Sequence, residues 1–254
     1  LDDATSSSKK KDSLTHELVF EMQGLSDVDR VDFSVKSPFE LLLTGKKELI
    51  LLDMVQYGVG SEISSKDTIK TNRKNIKGIR VISKSNNEAE FTSSCLLPDG
   101  HVIGATESSV RKNNIVWKAK SNEKARSLSF VRNGKYIVCL CEDSSSSSYS
   151  LKVLKSKGLK EVSSLVVKAQ VKDALYTLLS VGTSRVVVAD VAGSNANPFD
   201  MFKISSKGSI TWHTRFRVTH PVLSMCVRHD CKNDISCYSV RECWREFSLH
   251  LSTI

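Results

Sequence analysis

The chain has 254 residues, 40% hydrophobic and 26% charged, with 37 Lys and Arg against 28 acids for a formal charge of +9. That is ordinary for a soluble globular protein with a sizeable core. No window approaches the ~20 apolar residues of a membrane-spanning helix, so no transmembrane segment is expected, and no charged-then-apolar leader opens at Leu1.

Residues 1–16, with ATSSSKKKDS, read as a flexible N-terminal segment ahead of a single domain over 17–254. The stretch from Val28 to Asp53, VDRVDFSVKSPFELLLTGKKELILLD, predicts an alternating strand, a turn with Pro38, an apolar strand, a Gly-Lys-Lys turn and a third strand. A polar insert follows near 57–77. Phe91 to Lys120 repeats the plan with Pro98-Asp99-Gly100 as its first turn, and Ala125 to Lys155 repeats it with Asn133-Gly134. In that third copy DSSSSS, Asp143 to Ser148, predicts an exposed hairpin loop that serves as a solvated spacer. Two weaker copies come next: Leu165 to Val191, followed by an insert at 192–210 around Asn195-Ala196-Asn197-Pro198, and then Pro221 to Val240. The stretch 241–254 lacks the Gly turn and reads as an atypical tail, either an apolar strand or a short amphipathic helix.

Each copy is physically a meander. Asn-Gly and Asp-Gly supply the positive φ of tight hairpin turns. Middle strands such as KYIVCL, HVIGAT, FELLLTG and YTLLSVG are nearly all apolar, as in strands buried on both faces. First strands alternate, as a strand with one wetter face does. The alternating strands near Val28, Phe91, Ala125, Leu165 and Val222 recur roughly every 40 residues where no insert intervenes, and blades of the propeller class run ~40–45. The predicted fold class is therefore all-β: a β-propeller of four-stranded antiparallel blades, about five to seven of them, in a complete or incomplete ring. A two-sheet sandwich is the rival. No helix-period apolar stripe of ten or more residues is found.

The seven Cys are odd in number, and Cys95, Cys139 and Cys141 sit in apolar strand patterns as small buried hydrophobes. That favours a reducing compartment, cytoplasmic or nuclear. No Gly-x-Ser-x-Gly elbow, phosphate loop or His-Glu-x-x-His pair occurs, and no spacing forces two carboxylates together, so the expectation is no enzyme and no cofactor. CVRHDCKNDISCYSVRECWREFSLH holds Cys226, His229, Cys231, Cys237, Cys243 and His250. The first four are the zinc alternative, yet Cys-x-x-Cys knuckles are absent and ordinary strand cysteines are the favoured reading. Trp212 is expected to pack between blades, His213 and His220 to flank a strand connection, and His101 to lie exposed in a turn.

The basic balance favours acidic surfaces or RNA as partners, against the plainer reading that loop Lys keeps strand edges solvated. The densest runs, Lys9-Lys10-Lys11 and Lys70 to Lys74, carry no interleaved aromatics for base stacking. The leading expectation is a non-enzymatic scaffold whose loops dock other proteins, with Tyr57, Arg73, Arg111, Arg185 and Phe199 as candidate anchors in or beside loops. Against it stands an RNA-associated scaffold in ribosome assembly or transcription.

The repeated pattern resembles the WD-repeat-like propellers over Val28 to Val240, although no copy opens on Gly-His or closes on Trp-Asp, and Trp117 in NNIVWKAK lacks its Asp. The order KARSLSFVRNGKYIVCL, a variable strand pair, then MFKISSKGSITW and VTHPVLSMCV is similar to the endoplasmic-reticulum exchange factor of the COPII coat GTPase. That resemblance implies guanine-nucleotide exchange on a small GTPase at the cytosolic face of the endoplasmic reticulum. The family's Gly-rich loop with a nearby Asn and its C-terminal anchor have no counterpart here, so no functional residue carries over.

Overall fold

The structure is a computed structural model that describes residues 28–34, 40–54, 79–86, 88–146, 148–168, 176–190, 198–217, 224–227, 234–241 and 243–250. Every regular element among the described residues is a β-strand, and the strands form five antiparallel sheets. The first sheet holds β1 (Val28–Phe33), β2 (Glu40–Gly45), β3 (Glu48–Met54) and β4 (Ile79–Asn86). The second holds β5 (Phe91–Leu96), β6 (Val102–Thr106), β7 (Ser109–Lys112) and β8 (Ile115–Lys118). The third holds β9 (Glu123–Val131), β10 (Tyr136–Asp143), β11 (Ser148–Lys155) and β12 (Lys160–Lys168). The fourth holds β13 (Tyr176–Val181), β14 (Arg185–Asp190), β15 (Pro198–Ile204) and β16 (Ile210–Arg217), and the fifth β17 (Ser224–Val227), β18 (Asp234–Arg241) and β19 (Cys243–His250). Spatial order follows chain order in each sheet, so each is a meander.

The third sheet explains why its middle strand is apolar throughout. Side chains alternate across a strand. On β10, Tyr136, Val138 and Leu140 join the core shared with Leu178, Val186, Val188, Phe202 and Ile204 of the fourth sheet. Ile137, Cys139 and Cys141 join the core shared with Cys95, Leu97, Ile103, Ala105 and Val110 of the second. One strand thus seals two interfaces, which a period-2 pattern cannot do. Leu42, Leu49 and Leu51 meet Phe91 and Leu96 in the same way between the first and second sheets.

The first strands β1, β5, β9, β13 and β17 each lie against the next, which sets the sheets radially about a common axis and rules out two facing sheets. Serines fasten this inner seam. The Leu128 N–H of β9 donates to Ser93 Oγ of β5 at 3.0 Å, and the Leu178 N–H of β13 donates to Ser127 Oγ of β9 at 3.2 Å. Bulges recur in register as well: the first-to-second strand pairing skips Asp29, Thr92 and Arg126 in the first three sheets. The third-to-fourth pairing skips Ile82, Val162 and His213 in the first, third and fourth. Each bulge adds local twist, which lets a four-stranded sheet fan outward from the axis.

Buried charge is paired. Lys152 Nζ lies 2.9 Å from Glu123 Oε1, their side chains 3% and 8% exposed, and Ser150 Oγ donates to the same oxygen at 3.0 Å. Asp200 takes Arg215 Nε at 2.6 Å and Nη2 at 2.9 Å, while Tyr149 of the third sheet donates its hydroxyl to Asp200 Oδ2 at 3.0 Å. Burial first, then the Asp200 charge, pushes the Tyr149 phenol up, so it stays a donor.

Several expectations change. The fourth unit begins at Tyr176, and Leu165 lies on β12 of the third sheet: an outer strand with one covered face alternates just as an inner one does. YTLLSV is therefore a first strand, and RVVVAD is the middle one. The expected insert at 192–210 contains β15 and its turn into β16, so the polar Asn-Ala-Asn run hid a strand that starts on Pro198. The atypical tail is a strand, β19, paired along β18. Trp212 is 55% exposed and does not pack inside an interface, and His213 is the bulge residue of β16. Residues 1–16 and the insert 57–77 lie outside the described residues.

Candidate functional site

Antiparallel meanders send their turns alternately to two ends of the stack. Turns between first and second strands and between third and fourth strands share one end; those between second and third strands, and the links from sheet to sheet, share the other. The two ends differ in charge. On the third and fourth sheets the first end carries Arg132, Lys135, Lys155, Lys157 and Lys160, then Arg185, Lys203 and Lys207. Glu161 is the acid among the described residues there. At the opposite end cations meet acids: Lys124 and Arg126 reach Glu107 at 3.2 and 3.0 Å, and Arg126 reaches Glu142 at 2.7 Å.

Strand register sharpens the contrast. Lys160 stands directly across from Lys155, and Lys203 directly across from Arg185. Like charges placed opposite on a sheet repel and cost stability. No carboxylate among the described residues bridges either pair.

The platform beneath these cations is laced together. Asn133 and Gly134 take φ of 54° and 81°, with the Lys135 N–H on Arg132 O at 3.1 Å, the two-residue turn that Asn-Gly favours. A Cβ on Gly134 would stand 2.7 Å from Pro98 Cδ, so the second sheet's turn packs on the third's. The Arg132 N–H donates to Thr183 O at 2.6 Å, and its guanidinium donates to Ile204 O at 2.8 and 3.1 Å. Lys135 Nζ and the Tyr136 hydroxyl both donate to Ser206 O, at 3.1 and 3.0 Å. Ser163 Oγ donates to Gly208 O at 2.6 Å, which ties β12 to the turn before β16. Side chains raised on this floor start from fixed positions.

Of the residues singled out by sequence, Arg185 belongs to this platform. Arg111 is exposed near the end of β7, opposite Val116 on the outer strand β8 and beside the Asn113-Asn114 turn. Phe199 is 1% exposed, on β15 beside Ala189, and is core: the stretch read as a loop is a strand that buries it. Tyr57 and Arg73 lie outside the described residues. So do His229 and Cys231 of the zinc alternative, while Cys226 pairs in register with Ser236, and Cys237 with Met225. Among the described residues no three His, Cys, Asp or Glu converge on a metal position, and no helix is long and apolar enough to cross a membrane. Cys95, Cys139 and Cys141 are free and buried. Burial drives the Cys95 thiol up to about 12; the Cys141 sulfur 3.7 Å away, with burial, raises Cys139 too.

Sequence reasoning missed Lys155, Lys157, Lys160, Lys203 and Lys207. Their signal is no run of basic residues but recurrence in alternate turns, as in VRNGK, LKSKGLK and ISSKGS.

The described sheets define the class: a β-propeller built of four-stranded antiparallel blades. Particular solved structures share it. Sqt1 from Chaetomium thermophilum matches with TM-score 0.54 and 13% identity, covering 90% of this chain and 58% of that one. The Dos1 propeller matches with TM-score 0.51 and 9% identity, covering 84% and 53%. The chain thus spans little more than half the length of either, and at such identity the likeness is one of fold. No family model and no curated protein matches the sequence.

Proposed function

We propose that this chain is a non-enzymatic interaction scaffold that docks other proteins on the turns at one end of its blades. The observation that carries the reading is the set of cations at that end of the third and fourth blades, opposed to one another and without acid partners among the described residues, on a floor of interlocked turns. Rigid elements that present charged tips suit partner recognition. Crosslinking of the tagged full chain in cells, with each recovered protein then rebound in purified form, tests it. A purified partner that binds directly supports the reading, and recovery of none that rebinds sinks it.

The order of segments around KARSLSFVRNGKYIVCL supports a second reading, guanine-nucleotide exchange on a small GTPase of the COPII coat. Release of labelled nucleotide from that GTPase, with and without the chain, decides it. An unchanged rate ends the idea.

A further inference from the structure

We propose that the seam between the outer strands of the third and fourth blades, β12 and β16, takes an extended acidic protein segment that carries apolar side chains. The inference rests on the scaffold reading and gives that scaffold a partner chemistry and a landing place.

The seam is basic at its mouth, apolar in its middle, and closed at its far end by the Arg215–Asp200 pair with Tyr149. Trp212 of β16 stands opposite Phe202, which is buried in the core between the two blades, so Trp212 lies on the same face yet is 55% exposed. On the neighbouring blade, Leu165 and Val167 of β12 pack against the same core and remain partly open. Trp212 thus stays open on a face that also carries half-covered aliphatics, and Trp is among the residues enriched at the anchors of protein partners. The two strands are pinned by Ser163 Oγ on Gly208 O at 2.6 Å, which fixes the mouth. Around that point stand Lys157, Lys160 and Lys207, all exposed and without an acid partner among the described residues.

Charge complementarity selects the occupant. Carboxylates would neutralise these lysines and relieve the Lys155–Lys160 opposition, while Leu or Phe of the same segment would cover Trp212, Leu165 and Val167. A single-stranded nucleic acid needs successive aromatic faces; at this seam Trp212 stands alone among the described exposed aromatics. The Arg132 guanidinium, a fork suited to phosphate, is committed to Ile204 O.

The test measures fluorescence anisotropy of a labelled peptide of Glu, Asp, Leu and Phe with the full chain. Its Lys-substituted counterpart and labelled oligouridylate serve as comparisons. Two seam variants are used, Trp212→Ala and the combined Lys157→Glu, Lys160→Glu, Lys207→Glu. A control, Lys118→Glu with Lys120→Glu, alters the other end. All are exposed side chains, so the fold is retained, as far-UV circular dichroism checks.

The expected result is binding of the acidic peptide that either seam variant weakens about tenfold or more and the control leaves unchanged. Full affinity in Trp212→Ala would mean diffuse attraction and overturn the seam. No binding of the acidic peptide, or tighter binding of oligouridylate, would overturn the partner class. A purified cellular partner that binds wild type and both seam variants equally would remove this site while leaving the scaffold reading intact.

Discussion

At the residue scale the informative groups are those buried against their chemistry. Burial alone would raise the Glu123 carboxyl; the Lys152 ammonium, by hydrogen bond and charge, and the Ser150 hydroxyl outweigh it and hold the carboxyl below its usual range. A carboxyl depressed by folding adds stability above its unfolded value, about 4.3, and loses it as pH falls through the folded value. Lys152→Met would strand a buried carboxylate and cost about 3–5 kcal/mol, whereas Glu123→Leu with Lys152→Met would return most of that. Urea midpoints at neutral pH measure both, and equal losses in the single and double variants would refute the pairing. The stability of wild type should drop below about pH 4, and the double variant should lack that part of the drop.

The three interface thiols make a second residue-scale prediction. A thiol must ionise to react, and neither Cys95 nor Cys139 does so near neutrality. Native protein should leave Cys95, Cys139 and Cys141 unlabelled by iodoacetamide at about pH 8, a value near the pKa of a free thiol, while urea exposes all three. Mass spectrometry of digests reads the outcome, and rapid native labelling would place a solvent path where none is described.

At the element scale the turns and the inner strands carry specific loads. Gly208 has φ of 90°, and a Cβ there would stand 2.8 Å from the Tyr136 ring and 2.9 Å from Val162. Gly208→Ala combines backbone strain with a collision against core and should cost about 1–3 kcal/mol, seen as a fall in the urea midpoint. Ser127→Ala removes the acceptor of the buried Leu178 N–H and should also cost about 1–3 kcal/mol, because that donor is then unmet.

Much of this scale was legible in the residues. Asn133-Gly134 named its turn, and the run YIVCLC named a strand with two covered faces. Leu165 misled because an outer strand, like an inner one, turns successive side chains to a covered and an open face, as Leu165, the exposed Val166 and Val167 do; period reports how many faces are wet and is silent on which neighbour dries them. Pro198 misled because a strand may begin on a residue without an N–H. The inner serines read as wetness and are in fact inter-blade fasteners, a role that depends on the adjacent blade and so leaves no local mark.

At the scale of the whole molecule the formal charge of +9 is a bare sum, and on the third and fourth blades the charges take a direction. On those two blades bases accumulate at one end, whereas acids and bases pair at the other, and on the second blade Lys112 pairs with Asp99 at 3.8 Å. A sum cannot carry that information, since whether Lys157 and Lys207 are neighbours depends on how the meanders stack. The accumulation is costly to the free chain. Raising salt should therefore stabilise it, and Lys160→Glu and Lys203→Glu should each raise stability by about 0.2–1 kcal/mol, because each turns an opposed like pair into an attractive one. Urea midpoints across a salt series check this; a destabilised Lys203→Glu would mean an acid already serves the pair.

The serine fasteners have a polarity with a consequence for biosynthesis. At both seams the accepting hydroxyl belongs to the earlier sheet and the donating amide to the later one. As the polypeptide leaves the ribosome, each finished unit already displays the docking oxygen that its successor will need. Nascent units thus gain their clasps in the order of translation, and a permuted gene that delivers Tyr176 before Ser127 would have to wait with an unsatisfied amide on display.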